Sequence, residues 1–538
     1  MADQGVSPFG NGNDKLRIGE SMKGVSANAP VFSAGQEGAG GLPIVSENTS
    51  FDLPVDSENK AKTIKLNSIA KPHMRAFHLS WFSFFISFIS TFAAAPMIPV
   101  LRDDVDLTIV DLGNAGVAAV SGTILARVIM GYVCDAFGPR YGHGVLMLGT
   151  APAVFAMAIV GDAAGFIVCR LVIGFSLATF VATQYWTSVM FNPKIVGLAN
   201  ATTAGWGNLG GGVTQFLMPV IYAGMLTHGS PFLAWRLAFF VPGCCHILVG
   251  VLCLLFAQDL PDGQFKDLEK KGDLQTTSAA TLFAMGMSNY RMWCMTISYA
   301  FCFGIELTMN NIVTAYFFDQ FGLPLATAGV IGSLYGMMNL FARSLGGVAS
   351  DWAAYKFGMR GRLWSLWLLQ TAEGFICVVM GRVYDSLGMT IFFMVVFSLF
   401  VQMSEGASFG IVPFLSKRTL GVCSGFIGAG GNAGGAIMMA AFFKSEKYET
   451  YDGISLMGVC IIACTLVVVT IHFPQWGSML FPANEHVTEQ DYYLAEYTEE
   501  EKVAGVANSA MKFAEESKGE RGQSRLALTD GTPTDVQL

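Results

Sequence analysis

Between about residue 76 and residue 474 the chain is almost continuously apolar, broken only by short clusters of Pro, Gly and charged residues. A hydrocarbon core about 30 Å thick is crossed by about 20 helical residues, and the clusters divide the apolar stretch into twelve such segments. Helices 1 to 6 are expected over roughly 76–101, 112–134, 143–160, 164–190, 195–224 and 233–257, and helices 7 to 12 over roughly 292–318, 326–351, 362–381, 387–415, 419–443 and 454–474. Polar sequence surrounds them. It forms an arm over 1–75, expected to be disordered and cytoplasmic, a linker over 258–291 and a tail over 475–538. The expected fold class is an all-α membrane protein of twelve transmembrane helices in two six-helix halves, 76–257 and 292–474.

The short loops give the orientation. Arg140, Lys194, Lys356, Arg360, Arg362, Lys417 and Arg418 fall on one side, whereas the first loop of the other side reads Arg102-Asp103-Asp104-Val105-Asp106. The positive-inside rule therefore puts both termini and the linker in the cytoplasm. Composition agrees with a lipid environment: 52% of the residues are hydrophobic and 13% charged, and the mean hydropathy is +0.48, too apolar for a water-soluble globule. The net charge of −8 comes largely from acidic runs such as Glu499-Glu500-Glu501, and no basic stripe could neutralise phosphates, so nucleic acid is not an expected partner. The eleven cysteines lack paired ligand spacing and read as small buried hydrophobes. No metal or other cofactor is expected, and no nucleophile–base pair suggests an enzyme.

One half of the chain repeats in the other. Arg127, Gly131 and Asp135 in helix 2 recur as Arg343, Gly347 and Asp351 in helix 8 at the same spacing of four. Lys194, Gly197, Asn208, Gly210 and Gly211 recur as Arg418, Gly421, Asn432, Gly434 and Gly435 around helices 5 and 11. A parallel repeat of six spans is the arrangement of the major facilitator superfamily, whose substrate site lies between the halves near the bilayer midplane. The run from Gly131 to Arg140 resembles that superfamily's G-x-x-x-D-x-x-G-x-R signature. It implies a gating latch in which Asp135 and Arg140 cap helix ends, with Asp351 as the repeat counterpart of Asp135.

Arg127 stands two helical turns, about 12 Å, inside Asp135, and Arg343 stands likewise inside Asp351. Such burial costs roughly 2.5 to 3.5 kcal/mol on insertion scales, so each arginine needs a partner or a wet cavity. Repeat-equivalent arginines lie at equal depth on facing helices, which builds a site for one small anion, and the planar guanidinium fork suits a planar oxyanion such as nitrate or a carboxylate. The alternative is structural neutralisation by Glu306, Glu373 or Glu405. Gly205 to Gly210 also fits the dinucleotide pattern G-x-G-x-x-G, but it follows no strand and lies in an apolar segment where glycines serve close helix packing. Within it Asn208, like Asn432 in helix 11, is a candidate donor to the anion or to neighbouring backbone. Glu405 and Glu306 are the candidates for carrying a coupled proton.

The strings 204–215 (AGWGNLGGGVTQ), 304–323 (GIELTMNNIVTAYFFDQFGL), 338–351 (MNLFARSLGGVASD), 428–435 (GAGGNAGG) and 472–479 (HFPQWGSM) closely resemble high-affinity nitrate transporters of the nitrate/nitrite porter family, in its plant and green-algal branch. The resemblance runs from about Ala76 to Phe513. It implies import of nitrate, and of nitrite in some members, by proton symport with alternating access at the plasma membrane; nitrate/nitrite exchange and nitrate sensing without net transport are the competing functions. It also implies nitrate contacts from Arg127 and Arg343, from Asn208 and from the helix 4 phenylalanine, Phe180. Bacterial members add a helix 7 tyrosine; a gap-free match places Met309 there, with Asn310 and Asn311 beside it, and Asn310 is taken as the polar contact. Plant members commonly work with a small single-span accessory membrane protein. The tail carries Arg521-Gly522-Gln523-Ser524, a match to a basic-directed kinase site.

Overall fold

A computed structural model describes residues 51–522 apart from 228, 272–277, 445–446 and 504. The first fifty residues and Ser524 lie outside the described residues. Among the described residues, twelve helices are long and apolar enough to cross a membrane: α1 His73–Val105, α2 Ile109–Phe137, α3 Pro139–Ile159, α4 Ala163–Met190, α5 Val196–Leu226, α6 Pro231–Phe256, α7 Tyr290–Phe321, α8 Leu325–Phe357, α9 Met359–Met380, α10 Leu387–Phe414, α11 Leu420–Phe443 and α12 Thr450–Thr470. Their outward faces are apolar, with Leu125, Val168, Leu248, Leu255, Leu368 and Phe392 all exposed. In water such a surface would aggregate; in lipid it is simply the protein's boundary.

The largest difference from the expected spans is at the end of α8, which continues past Asp351 to Phe357. A charged side chain marks where the membrane is left, not where the helix ends. The end is set by Gly358, whose φ of +65° no residue with a Cβ adopts readily.

Glycine also sets how closely the halves approach. A Cβ built on Gly131 of α2 would stand 2.5 Å from the carbonyl oxygen of Gly421 in α11, and one on Gly347 of α8 would stand 2.6 Å from the carbonyl oxygen of Gly197 in α5. These contacts join repeat-equivalent places, so α2 meets α11 and α5 meets α8 backbone to backbone. An aromatic and aliphatic core spans the same division, with Phe84, Phe88 and Phe180 from one half and Tyr299, Phe303 and Phe409 from the other.

The arm expected to be disordered over 1–75 is folded from residue 51 onward. Leu53 and Ala61 are buried against Met74, Phe77, Trp186 and Met190, and Ala61 exchanges backbone hydrogen bonds with Met190 and Asn192 at 2.9 and 3.1 Å. Its polar composition hid a few well-placed apolar side chains. The tail packs on the same face, where Trp476, Tyr493 and Phe513 join Phe414 and Leu420 in the core. Glu58 pairs with Lys60 at 2.9 Å and Lys417 at 3.0 Å. Burial pushes the Glu58 carboxyl up, but Lys417 and Lys60 together overcome this and hold it at about 2. Its contribution to stability is thus present above the ordinary value of 4.5 and is lost as pH falls toward about 2.

Candidate functional site

Four helices lose regular α geometry around one point between the halves. α4 tightens to a 3-10 turn over Phe175–Ala178, and α7 is interrupted between Ala300 and Phe303. α8 tightens over Met338–Leu340 and resumes at Ala342, and α10 loses its regular turn after Ser408. Interrupted helices direct free backbone groups and polar side chains toward an enclosed site.

Aromatic rings fill the centre. Phe180 and Phe303 stack with centroids 5.5 Å apart, Tyr299 lies parallel to Phe303 at 5.3 Å, and Phe409 meets Phe180 edge-on at 5.1 Å. The two expected arginines converge here, and both are fully buried. Arg127 holds its guanidinium 4.7 Å from the centroids of both Phe180 and Phe303; that of Arg343 is 5.9 and 6.0 Å from the same two rings. Both distances are within reach of cation–π attraction.

Their partners differ. Arg127 donates to the carbonyl oxygen of Leu177 from Nε at 3.3 Å and Nη2 at 3.2 Å, and to that of Gly428 from Nη1 at 2.7 Å. It makes no ion pair among the described residues. Arg343 is paired with Glu405 and lies 3.7 Å from Glu306, while its Nη2 donates to the Tyr299 hydroxyl at 2.8 Å. Asn208 Nδ2 donates to Glu306 at 2.5 Å and to Glu405 at 3.4 Å, and Asn339 Nδ2 donates to Glu306 at 2.8 Å. Neutralisation by carboxylates, weighed from sequence for both arginines, therefore exists at Arg343 alone. Glu373 makes no ion pair among the described residues.

The chain's relatives bear on what this geometry serves. It matches the Major Facilitator Superfamily over residues 80–439. It is 50% identical over 492 residues to the high affinity nitrate transporter 2.5 of Arabidopsis thaliana, covering 91% of this chain and 98% of that one. It is also 50% identical over 498 residues to the nitrate transporter 2.1 of Chlamydomonas reinhardtii, covering 91% of each. The chain belongs to the major facilitator superfamily, in its family of high-affinity nitrate transporters. Among solved structures, the proton:xylose symporter XylE superposes with a TM-score of 0.56 at 14% identity, covering 73% of this chain and 94% of that one. The human organic anion transporter MFSD10 does so with a TM-score of 0.52 at 13% identity, covering 74% and 99%. These two neighbours speak to the fold alone.

The two aspartates expected to form a latch, Asp135 and Asp351, each bond across to the other half. Asp135 of α2 accepts from the backbone N–H of Gly421 at 3.0 Å and of Val422 at 2.9 Å, at the start of α11. Asp351 of α8 accepts from the N–H of Leu198 at 2.7 Å, in the first turn of α5. Each carboxylate meets the positive end of a helix dipole in the opposite half. Asp351 also pairs with Arg362 at 2.6 Å, and Arg362 with Glu520 of the tail at 2.8 Å. The Arg140 guanidinium donates to the carbonyl of Leu254 near the end of α6, at 3.5 Å.

This placement gives an expected outcome for Asp135→Asn and Asp351→Asn. Each should slow nitrate uptake about tenfold by weakening a charge-assisted contact between halves, while equilibrium nitrate binding by purified protein changes little. Loss of binding in folded mutant protein would put these aspartates in recognition instead.

Asn432 donates to the carbonyl of Val120 at 3.1 Å, so its amide ties α11 to α2. Asn310 lies seven residues beyond Phe303 on α7, against Gly211 of α5, and its buried side-chain amide has no hydrogen-bond partner among the described residues. Met309, the position matched to the bacterial tyrosine, packs with Ile305 and Tyr335. The helix 7 tyrosine that touches one of the two central arginines is Tyr299, ten residues earlier, bonded to Arg343. Sequence reading missed Tyr299, Phe303, Phe409 and Asn339; their signal was weak, because aromatics in membrane helices mostly serve packing.

Proposed function

We propose that this chain imports nitrate with protons by alternating access at the plasma membrane, its termini and the 258–291 linker facing the cytoplasm. The observation that carries this reading is the pair of fully buried guanidiniums on the Phe180–Phe303 stack, of which only Arg343 has carboxylate partners. Planar forks match a planar trigonal oxyanion, and the relatives' names supply nitrate as its identity, with nitrite in the same chemical class. Arg343 Nε has no acceptor among the described residues, so a donor is available. Water-excluding aromatic walls strengthen each charge–charge contact.

The carboxylates support proton coupling. While Glu405 is ionised it holds the Arg343 donors that an entering anion would use. Protonation of Glu405 removes that competitor, and Glu306, sharing the Asn208 amide, is the second acceptor for a proton. Two arginines and two ionised glutamates sum to zero; one nitrate and two protons bring the loaded site to +1. Moving nitrate alone inward against 100 mV costs about 2.3 kcal/mol, whereas a complex of net charge +1 is driven inward by the same amount.

Voltage-clamped cells expressing the chain, with and without a small single-span accessory membrane protein as partner, test this reading. Nitrate should evoke an inward positive current that grows as external pH falls. An electroneutral flux that requires internal nitrite would establish exchange instead, and binding without flux would identify a sensor.

A further inference from the structure

The described residues bury four arginines in all: Arg127, Arg170, Arg343 and Arg362. Arg343 and Arg362 are paired with carboxylates. Arg127 and Arg170 make no ion pair. Arg170 stands on α4 seven residues before Leu177, the residue whose carbonyl holds Arg127, and this is about 10 Å along the helix. The opposite end of α4, Met190, is where the N-terminal arm docks, so Arg170 lies toward the face away from the termini.

Its surroundings come from both halves. Nη1 donates to the carbonyl of Thr91 in α1, and Nη2 donates to Asn311 Oδ1 in α7 at 2.8 Å. The Asn311 amide is oriented by its own donation to the Leu307 carbonyl at 2.8 Å, which fixes its oxygen toward Arg170. Together with Ala94, Gly116, Phe166 and Met439, these two side chains line a cavity of about 20 Å³ between the halves, room for a visitor of about a water's size until the wall moves. Met439 belongs to a turn of π-helix at the end of α11, and its flexible thioether end comes within 2.8 Å of where a Cβ on Gly116 would stand. The side wall can therefore yield.

We propose that Arg170, positioned by Asn311, is an outer subsite for a small monovalent anion, occupied by the cargo between the face away from the termini and the Arg127–Arg343 centre. A guanidinium has five N–H donors, and the two bonds formed here go to neutral oxygens, which leave its charge uncompensated. A buried cation without a carboxylate carries a costly uncompensated charge, which an anion beside it would relieve. The cavity places such a visitor against Arg170, about 10 Å along α4 from the residue whose carbonyl holds Arg127. That the visitor is the transported anion rests on the reading of the cargo as nitrate; the uncompensated charge does not.

The test uses purified full-length chain in lipid nanodiscs, with nitrate as the probe, and uptake in vesicles. Arg127→Gln should lose the tight nitrate-binding phase and keep a weaker one, and Arg127→Gln/Arg170→Gln should lose both. Arg170→Gln alone should keep the tight phase while kcat/KM for uptake falls about tenfold, as expected when a focusing charge is removed from an entry path. If Arg127→Gln abolishes all nitrate binding, or if the weaker phase survives in the double variant, the outer subsite is overturned. If instead Arg127→Gln binds as tightly as the parent and Arg170→Gln does not, the central clamp fails while the outer subsite stands. The unmodified chain offers a check independent of folding: crystals saturated with bromide should show anomalous density within hydrogen-bond reach of Arg170, and its absence there overturns the proposal.

Discussion

Arg127→Lys is expected to reduce nitrate uptake about a hundredfold at matched surface expression, although the charge is kept. Lysine presents a compact, strongly hydrated ammonium in place of a planar fork. It cannot reproduce the planar fork that sends three N–H bonds to Leu177 and Gly428, nor lie flat against both Phe180 and Phe303. Losing one charge-assisted hydrogen bond costs roughly 1.5 to 3 kcal/mol, a factor of about ten to a hundred in binding, and the cation–π contacts add about 1 kcal/mol or more. Neutral substitutions should then separate the two arginines. Arg343→Gln leaves Glu405 and Glu306 without their cation and should lower thermal stability, since breaking a buried pair costs about 3 to 5 kcal/mol. Arg127→Gln removes an uncompensated charge and should not. Near-normal uptake by Arg127→Lys would dismiss the two-arginine clamp.

Glu405→Gln carries the second large effect, on coupling in place of recognition. Glutamine resembles the protonated acid permanently, so Arg343 is released from its competitor and nitrate binding should be retained or tightened. Uphill accumulation driven by a pH gradient in proteoliposomes should fall at least about tenfold, the scale on which a positioned proton carrier matters, while exchange of labelled for unlabelled nitrate continues. Accumulation that survives at the parental level would move the proton to Glu306 or elsewhere.

Much of this was legible in the sequence because it depends on periods. Span length follows from bilayer thickness, and the recurrence of Arg127, Asp135 and Asn208 as Arg343, Asp351 and Asn432 follows from duplication. The inequality of the two arginines was also present, though unread: α4 contains no acidic residue and α1 none before Asp103, so the first half offers nothing to match Glu306 and Glu405. The interruptions were not legible. The break in α7 falls at Phe301 and Cys302, with neither proline nor glycine between Ala300 and Phe303, and tertiary packing imposes it. The same holds for the docked arm, where Leu53 and Ala61 are isolated apolar residues in polar surroundings and only their neighbours make them an anchor.

The glycine contacts between α2 and α11 and between α5 and α8 have a consequence for motion. A joint closed by interlocking leucines exposes apolar area when it parts and must freeze rotamers each time it reseals. At Gly131 against Gly421 and Gly347 against Gly197, backbone meets backbone, and the side chains beside these contacts, Ala201, Asp135 and Asp351, are short. What resists separation there is a handful of hydrogen bonds to Asp135 and Asp351, groups that water can serve nearly as well once the joint opens. Parting these particular contacts therefore costs little side-chain entropy. A single methyl group at Gly421 would turn this sliding surface into a wedge.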